Sequence, residues 1–335
     1  TKTLNNVLYT EVNSDPTVDF MWTNTGGDDR PVFTRSRIDN TYRAIYVGSN
    51  TNEGYTYNLT ASFAKRFDFG LDASLSYTWG DAQAVNEGTS SQNSSQWRGQ
   101  VSIDGRNTPV LGRSDFALGH RVLGALTYSL DWNEAKNATT TITLLYEGMT
   151  GSPYSYVIGG SSARNINNEN GSTSRNRSLI WVPANQSEIT LVDADGLTPG
   201  QQWAMLDDFI ENDPYLSKHR GEYVMKNSNW LPYTSFLDLS LRQDFGLNVA
   251  GKNHRLQVSW DVFNLANLLN SSWGVRYSVP GDFNNFFLYD FEGYAADGTT
   301  PQFSYTREGT GTDVLDINNF SSRWRMRLGL RYIFN

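Results

Sequence analysis

The sequence predicts an all-β protein, a transmembrane antiparallel β-barrel, on three observations: strict two-residue alternation over strand-length segments, links that alternate between short and long, and no long apolar run. The alternation is cleanest between Ser322 and Asn335. Trp324, Met326, Leu328, Leu330, Tyr332 and Phe334 fall on one parity, and Arg323, Arg325, Arg327 and Arg331 fall on the other, with Gly329 and Ile333 completing that second set. Successive side chains of a strand point to opposite faces. A soluble sheet can bury the apolar row, but the other row is then an arginine ladder in a chain of 27 Lys and Arg against 35 Asp and Glu. Lipid on one side and water on the other accounts for both rows.

The same split recurs along the chain. Tyr55, Tyr57, Leu59, Ala61 and Phe63 oppose Thr56, Asn58, Thr60 and Ser62, and Phe69, Leu71, Ala73, Leu75, Tyr77 and Trp79 oppose Gly70, Asp72, Ser74, Ser76 and Thr78. Val122, Leu126, Tyr128 and Leu130 alternate with Arg121, Thr127 and Ser129, and Ile142, Leu144 and Tyr146 with Thr141, Thr143 and Glu147. Leu237, Leu239, Leu241 and Phe245 oppose Asp238, Ser240, Arg242 and Asp244, and Leu256, Val258, Trp260 and Val262 oppose Arg255, Gln257, Ser259 and Asp261. Such segments match the roughly 9 to 11 residues of a tilted membrane-crossing strand. At 3–13 the row is thinner, with Val7 and Tyr9 on the wrong side.

Strands at 3–13, 42–66, 69–81, 114–131, 138–149, 234–245, 253–264 and 321–334 make eight expected crossings. The links at 67–68, 132–137 and 246–252 are short, whereas 14–41, 82–113, 150–233 and 265–320 are long and rich in Asn, Ser, Gly and Asp. Bacterial outer-membrane barrels have short periplasmic turns and long outer loops, which puts the C-terminus on the periplasmic side. A soluble β-sandwich also alternates, but loops of this length count against a compact soluble domain. The 18 Tyr and 10 Trp suit two membrane interfaces, where Tyr77, Trp79, Tyr128, Trp132, Tyr332 and Phe334 stand near strand ends.

Composition narrows the class further. The chain of 335 residues is 38% hydrophobic, with a mean hydropathy of -0.51. It holds no apolar run near the roughly 18 residues of a membrane helix. With no cysteine there is no disulfide framework, thiolate metal site or cysteine nucleophile. The chain opens at Thr1 inside a strand-like segment and without a signal peptide, so the expectation is that an N-terminal part precedes it.

At the longest loop the residues resemble a known family. Leu179-Ile-Trp-Val-Pro183, the stretch 201–221 (QQWAMLDDFIENDPYLSKHRG) and Leu237-Asp-Leu-Ser-Leu-Arg-Gln-Asp-Phe245 look like the C-terminal region of Oar-like TonB-dependent receptors of the Bacteroidota. Val262-Phe-Asn-Leu-Ala-Asn-Leu-Leu-Asn270 and Arg327-Leu-Gly-Leu-Arg-Tyr-Ile-Phe334 strengthen the resemblance, as do 9–13 (YTEVN), 51–60 (TNEGYTYNLT) and 90–98 (SSQNSSQWR). It spans essentially the whole chain. Family members commonly stop at the aromatic residue, where this chain adds Asn335. The resemblance implies a 22-stranded barrel around an N-terminal plug, of which 1–335 would be the C-terminal portion. It further implies import energised from the inner membrane, with TonB pulling on the plug and this portion supplying wall, outer loops and part of the binding surface. The implied partners are that plug, the remaining barrel, the TonB complex through the plug, and outer-membrane lipids.

Other chemistry is weakly signalled. His120, His219 and His254 are far apart and form no His-Glu-x-x-His pattern, and no Gly-x-Ser-x-Gly elbow occurs. His254, on the apolar parity at a strand start, suits a membrane interface. Paired acids Asp28 and Asp29 or Asp207 and Asp208 stand among many loop acids, and no enzymatic role is expected. Asp193 and Asp195, in an Asp-x-Asp-Gly core, could begin a calcium loop, but the later ligands are missing, and a turn before a helix is the plainer reading. No cofactor is expected. That helix is predicted from a Thr198 cap, Pro199, and Trp203, Leu206, Phe209 and Ile210 at three- and four-residue steps, ending before Pro214.

Two residue sets are candidates for contact with a ligand or the plug. Arg242, Arg255, Arg323, Arg325, Arg327 and Arg331 face the lumen, where they could pair with Asp238, Asp244 and Asp261, meet a plug, or guide an anion. Trp181, Trp230, Trp273, Tyr277, Phe286, Phe287 and Tyr289 in the outer loops could stack on peptide or glycan, or on one another. A net charge of -8 with no basic stripe outside the lumen row disfavours nucleic acid. Three function classes follow: a receptor for energised import, a barrel scaffold for a surface lipoprotein or secretion partner, and a self-contained eight-stranded adhesin or enzyme barrel. The third requires 3–13 to pair directly with 321–334.

Overall fold

A computed structural model describes residues 7–133, 137–171, 173–281 and 283–334. Seven long strands form one antiparallel meander: β1 (Tyr55–Arg66), β2 (Leu71–Ala84), β3 (Gly119–Asp131), β4 (Ala138–Met149), β5 (Thr234–Val249), β6 (Lys252–Phe263) and β7 (Arg325–Phe334). Each is hydrogen-bonded to the next. The register aligns the rows seen in the sequence. Phe63 faces Leu75, Leu71 faces Tyr128, Leu126 and Leu239 both face Leu144, and Trp260 faces Leu328.

This apolar face stays uncovered, with Leu328 at 80% and Leu330 at 74% exposure. On the opposite face small polar side chains link neighbouring strands. Thr60 bonds Thr78 (3.0 Å), Ser62 bonds Ser76 (2.9 Å), Thr127 bonds Thr143 (3.1 Å), Ser240 donates to Asp261 (2.6 Å), and Arg327 donates to Asp261 at 2.8 and 3.0 Å. A sheet that is apolar and bare on one side and polar on the other is built for lipid outside and water inside.

The short turns lie at one end. In the β1–β2 turn Gly70 has φ +91°, and a Cβ there would lie 2.5 Å from the Ser129 carbonyl oxygen, so only glycine fits. The β5–β6 link is shorter than the expected 246–252. Val249 and Lys252 pair, leaving Ala250 and Gly251, both at positive φ, as a two-residue hairpin turn. β7 runs from the long-loop end to the short-turn end.

Two expected crossings are corrected. The stretch 42–66 breaks into Tyr46–Asn50 and β1. The 3–13 segment yields the strand Val7–Glu11, which pairs with Tyr46–Asn50 and not with the wall. Its polar residues explain why. Glu11 and Asn13 are 1% and 2% exposed, and the Glu11 carboxylate accepts from the backbone N–H groups of Asn13 and Ile45. A buried carboxylate bound to turn amides belongs outside a lipid-facing strand. Positions 3–6, 134–136 and Asn335 lie outside the described residues, among which seven long strands make the wall and the two-residue strand Gly112–Arg113 pairs onto the end of β2.

The long links and residues 7–54 fold into a crown at the other end. Its centre is a four-stranded sheet in which Pro153–Gly159 pairs in parallel with Asn285–Tyr294, flanked by Asn229–Trp230 and Pro301–Ser304. Helix α1 (Asn93–Gly99) buries Trp97 completely. Helix α2 (Pro199–Asn212) begins as expected, with a Thr198 and Gln201 capping box and Pro at the first turn. Its Leu206, Phe209 and Ile210 are buried, with Phe209 against Tyr156 and Phe286. Ion pairs are buried here as well, Arg30 with Asp28 at 2.7 Å and Arg106 with Glu169 at 2.8 Å.

Candidate functional site

Strands with one lipid face should not carry two adjacent apolar residues, because the second then points into the lumen. Toward the crown end of the wall four such doublets stand out: Val122 with Leu123, Leu144 with Leu145, Phe236 with Leu237, and Val262 with Phe263. In each the register turns one member inward. Leu123 and Phe236 both pair with Glu147, Leu145 pairs with Asp238, and Phe263 pairs with Arg325. The inward members Leu123, Leu145, Phe236 and Phe263 line one cavity of about 780 Å³ on the lumen face, near the crown end of the wall.

Arginines rim this cavity. The Arg276 guanidinium lies 5.4 Å from the Phe236 ring centre, and that of Arg325 lies 6.0 Å from Phe263 and 5.8 Å from Phe320. Arg323 reaches it from the short helix Asn319–Ser322, which Asn318 caps. The segment is pinned from the wall: Asn264 donates to the Gly274 and Ser322 carbonyls at 2.9 and 2.6 Å, and the Arg276 amide donates to Ser322 Oγ at 3.0 Å. The acids are already engaged. Glu147 accepts from Arg121 at 2.7 Å, and Asp238 accepts the Asn264 amide at 2.7 Å.

The expected lumen row is therefore divided. Arg323 and Arg325 join the cavity, Arg327 pairs with Asp261, and Arg242 lies 3.2 Å from Asp244. Arg255 and Arg331 are exposed on the lumen face toward the short-turn end, opposite Ile333 and Gln257. Arg276, Phe236, Phe263 and Phe320 lie outside the expected sets; the apolar doublets mark Phe236 and Phe263, and no local pattern marks Arg276 or Phe320.

The seven aromatics do not form one site. Phe286 is fully buried and Tyr289 is 3% exposed with its hydroxyl on the Trp181 carbonyl, so both are crown core, because the central parallel strands are covered on both faces. Phe287 and Tyr277 are half-buried, Trp181 packs edge-on against Tyr223 and donates to Glu188, and Trp273 is exposed. Trp230 lines a second cavity, of about 560 Å³, with Tyr154, Tyr156, Tyr215 and His219. There the Asp213 carboxylate is saturated by the amides of Tyr215 and Leu216, the Tyr156 hydroxyl and Asn229. Burial and this neighbouring charge push the Tyr156 phenol well above its ordinary range.

Asp195 and Gly196 both have positive φ and form a tight turn closed by mutual backbone bonds between Ala194 and Leu197, immediately before α2. Among the described residues Asp193 and Asp195 belong to no group of three metal-binding side chains. Asp28 is held by Arg30 and Asp207 by Arg220. Each histidine stacks on a tyrosine: His120 on Tyr77, His219 on Tyr215 and His254 on Tyr332. His120 and His254 do so at opposite ends of the lipid-facing side of the wall.

No curated protein and no solved structure matches the chain. The family model of the outer membrane beta barrel domain matches residues 3–280, most of its length. That match, the uncovered apolar face and the polar ladder behind it place the protein in the bacterial outer membrane. The chain belongs to the outer membrane beta barrel domain family.

Proposed function

We propose that the chain forms lumen wall and outer crown of a TonB-dependent receptor, which captures a ligand at the cell surface and imports it with energy from the inner membrane. The observation that carries this reading is the direction of the wall's edges. Six antiparallel pairings separate β1 from β7, so the two edge strands run the same way. Single-chain bacterial barrels are antiparallel with an even strand count, and an open edge in lipid leaves backbone groups unpaired. Closure of this wall thus takes an odd number of further strands, and a larger ring has room for a plug.

The motifs at 179–183, 201–221, 237–245 and 262–270 support the receptor reading within that architecture. The self-contained eight-stranded alternative loses its closing contact, because Val7–Glu11 pairs with Tyr46–Asn50. Residues 1–335 hold no cysteine, so introduced thiols are the only ones along them. One thiol from Thr60→Cys, Ser62→Cys or Ala64→Cys in β1 is combined with one from Arg327→Cys or Arg331→Cys in β7, in the whole protein in its membrane. Oxidation is expected to leave every pair unlinked. A link between the two edges closes the wall on seven strands and ends the receptor reading. In the same cells, ligand entry that persists after the proton-motive force is collapsed favours a passive or scaffold role.

A further inference from the structure

We propose that the cavity walled by Phe236, Phe263 and Phe320 and rimmed by Arg276, Arg323 and Arg325 is a binding site for a small carboxylate with a flat apolar body. The inference deepens the import reading by naming the class of cargo, and rests on it only in that the bound molecule is what is imported. Charge complementarity selects the occupant. Three guanidinium groups converge on the cavity, and none of the three is within ion-pair distance of a carboxylate among the described residues. Arg323 spends one N–H on the Asn319 carbonyl. Arg276 and Arg325 lie against phenylalanine rings, which leaves their N–H edges for a planar, two-oxygen acceptor.

The acids beside them are committed. Glu147 is bound by Arg121 and Asp238 by a backbone amide, so the cavity has a cationic rim with an apolar floor of Leu123 and Leu145. Apolar side chains on the water-facing side of a barrel strand cost hydration unless something apolar covers them. Leu123, Leu145 and Phe320 are 40%, 47% and 73% exposed, which leaves that surface for the ligand's flat body. The volume of about 780 Å³ lies in the range of small-molecule sites. The position beside the crown, where β5 and β7 begin and β6 ends, puts the site at the outer mouth of the lumen.

The test is equilibrium binding to the whole protein purified in detergent, with biphenyl-4-carboxylate as probe and biphenyl-4-carboxamide as its uncharged counterpart. The acid is expected to bind at least about tenfold more tightly than the amide, as for a bidentate charge-assisted pair. Arg276→Gln and Arg325→Gln should each remove most of that preference, Arg325→Lys should restore part of it, and Arg255→Gln should leave it intact. Heat-shifted electrophoretic migration of each variant checks that the wall is folded. Equal binding of acid and amide, no binding of the acid, or full preference in both glutamine variants overturns the proposal. Loss of uptake with binding retained counts against the import reading alone.

Discussion

The wall and the crown obey opposite rules within one chain. In the wall Leu328 and Leu330 lie bare while Ser62, Thr127 and Asp261 are linked to neighbours on the inner face. In the crown Phe286, Leu206 and Trp97 are sealed from solvent, and buried charges are compensated, Arg106 by Glu169 and the Glu11 carboxylate by backbone N–H groups. Burial is favourable relative to the medium each face meets. An exposed leucine row is stabilising against lipid and costly against water, so the same residue type marks outside in one half and inside in the other.

The contrast can be tested by substitution. Glu169→Ala leaves Arg106 charged and buried without its partner, which should cost the crown about 3–5 kcal/mol. The crown should become protease-sensitive while the wall keeps its heat-shifted migration; simultaneous loss of both would mean that the two regions do not fold separately. Leu328→Arg puts a charge into lipid and should cost the wall about 2–4 kcal/mol, read as a lower urea midpoint in vesicles. Ile38→Arg, at a crown position 68% exposed, should stay within about 0.5 kcal/mol. Equal costs for these two arginines would remove the assignment of the leucine row to lipid.

Thr198→Ala deletes the α2 cap and should weaken the crown by about 1 kcal/mol, measured by proteolysis of the 199–212 segment. The smallest effect concerns Asp115, whose carboxyl is raised by burial first and by the neighbouring Glu87 second. A raised acid is stabilising when protonated. Its contribution is complete below the unfolded-state value, about 3.9, and is lost as pH rises through the folded value. Asp115→Asn keeps an acceptor for Asn227, which donates to Asp115 at 2.7 Å, and should make the crown slightly more stable at neutral pH and less dependent on pH. A crown less stable at neutral pH than the natural one would show that the charge itself is needed.

Much of the wall was legible because period two is a local property. The expected 138–149, 234–245 and 253–264 appear as Ala138–Met149, Thr234–Val249 and Lys252–Phe263, and α2 begins where Thr198 and Pro199 place it. The segment 3–13 misled because its alternation is weak and its role is set by Glu11, whose partners Ile45 and Asn170 are distant in sequence. The lumen cavity was half legible. Parity alone marks Arg323 and Arg325, whereas Phe236 and Phe263 are the inward halves of apolar doublets whose outward halves carry the alternation.

Side-chain alternation, turn glycines and caps depend on neighbours a few residues away, so the sequence alone determined the strands, their lipid-facing rows and the helix. Tertiary structure decided which loops share a core. The parallel pairing of Pro153–Gly159 with Asn285–Tyr294, the burial of Phe286 and Tyr289, and the meeting of Arg276 with Arg325 all bring together residues far apart in the chain. Such contacts depend on how complementary surfaces pack in three dimensions, and no periodicity in the chain encodes that.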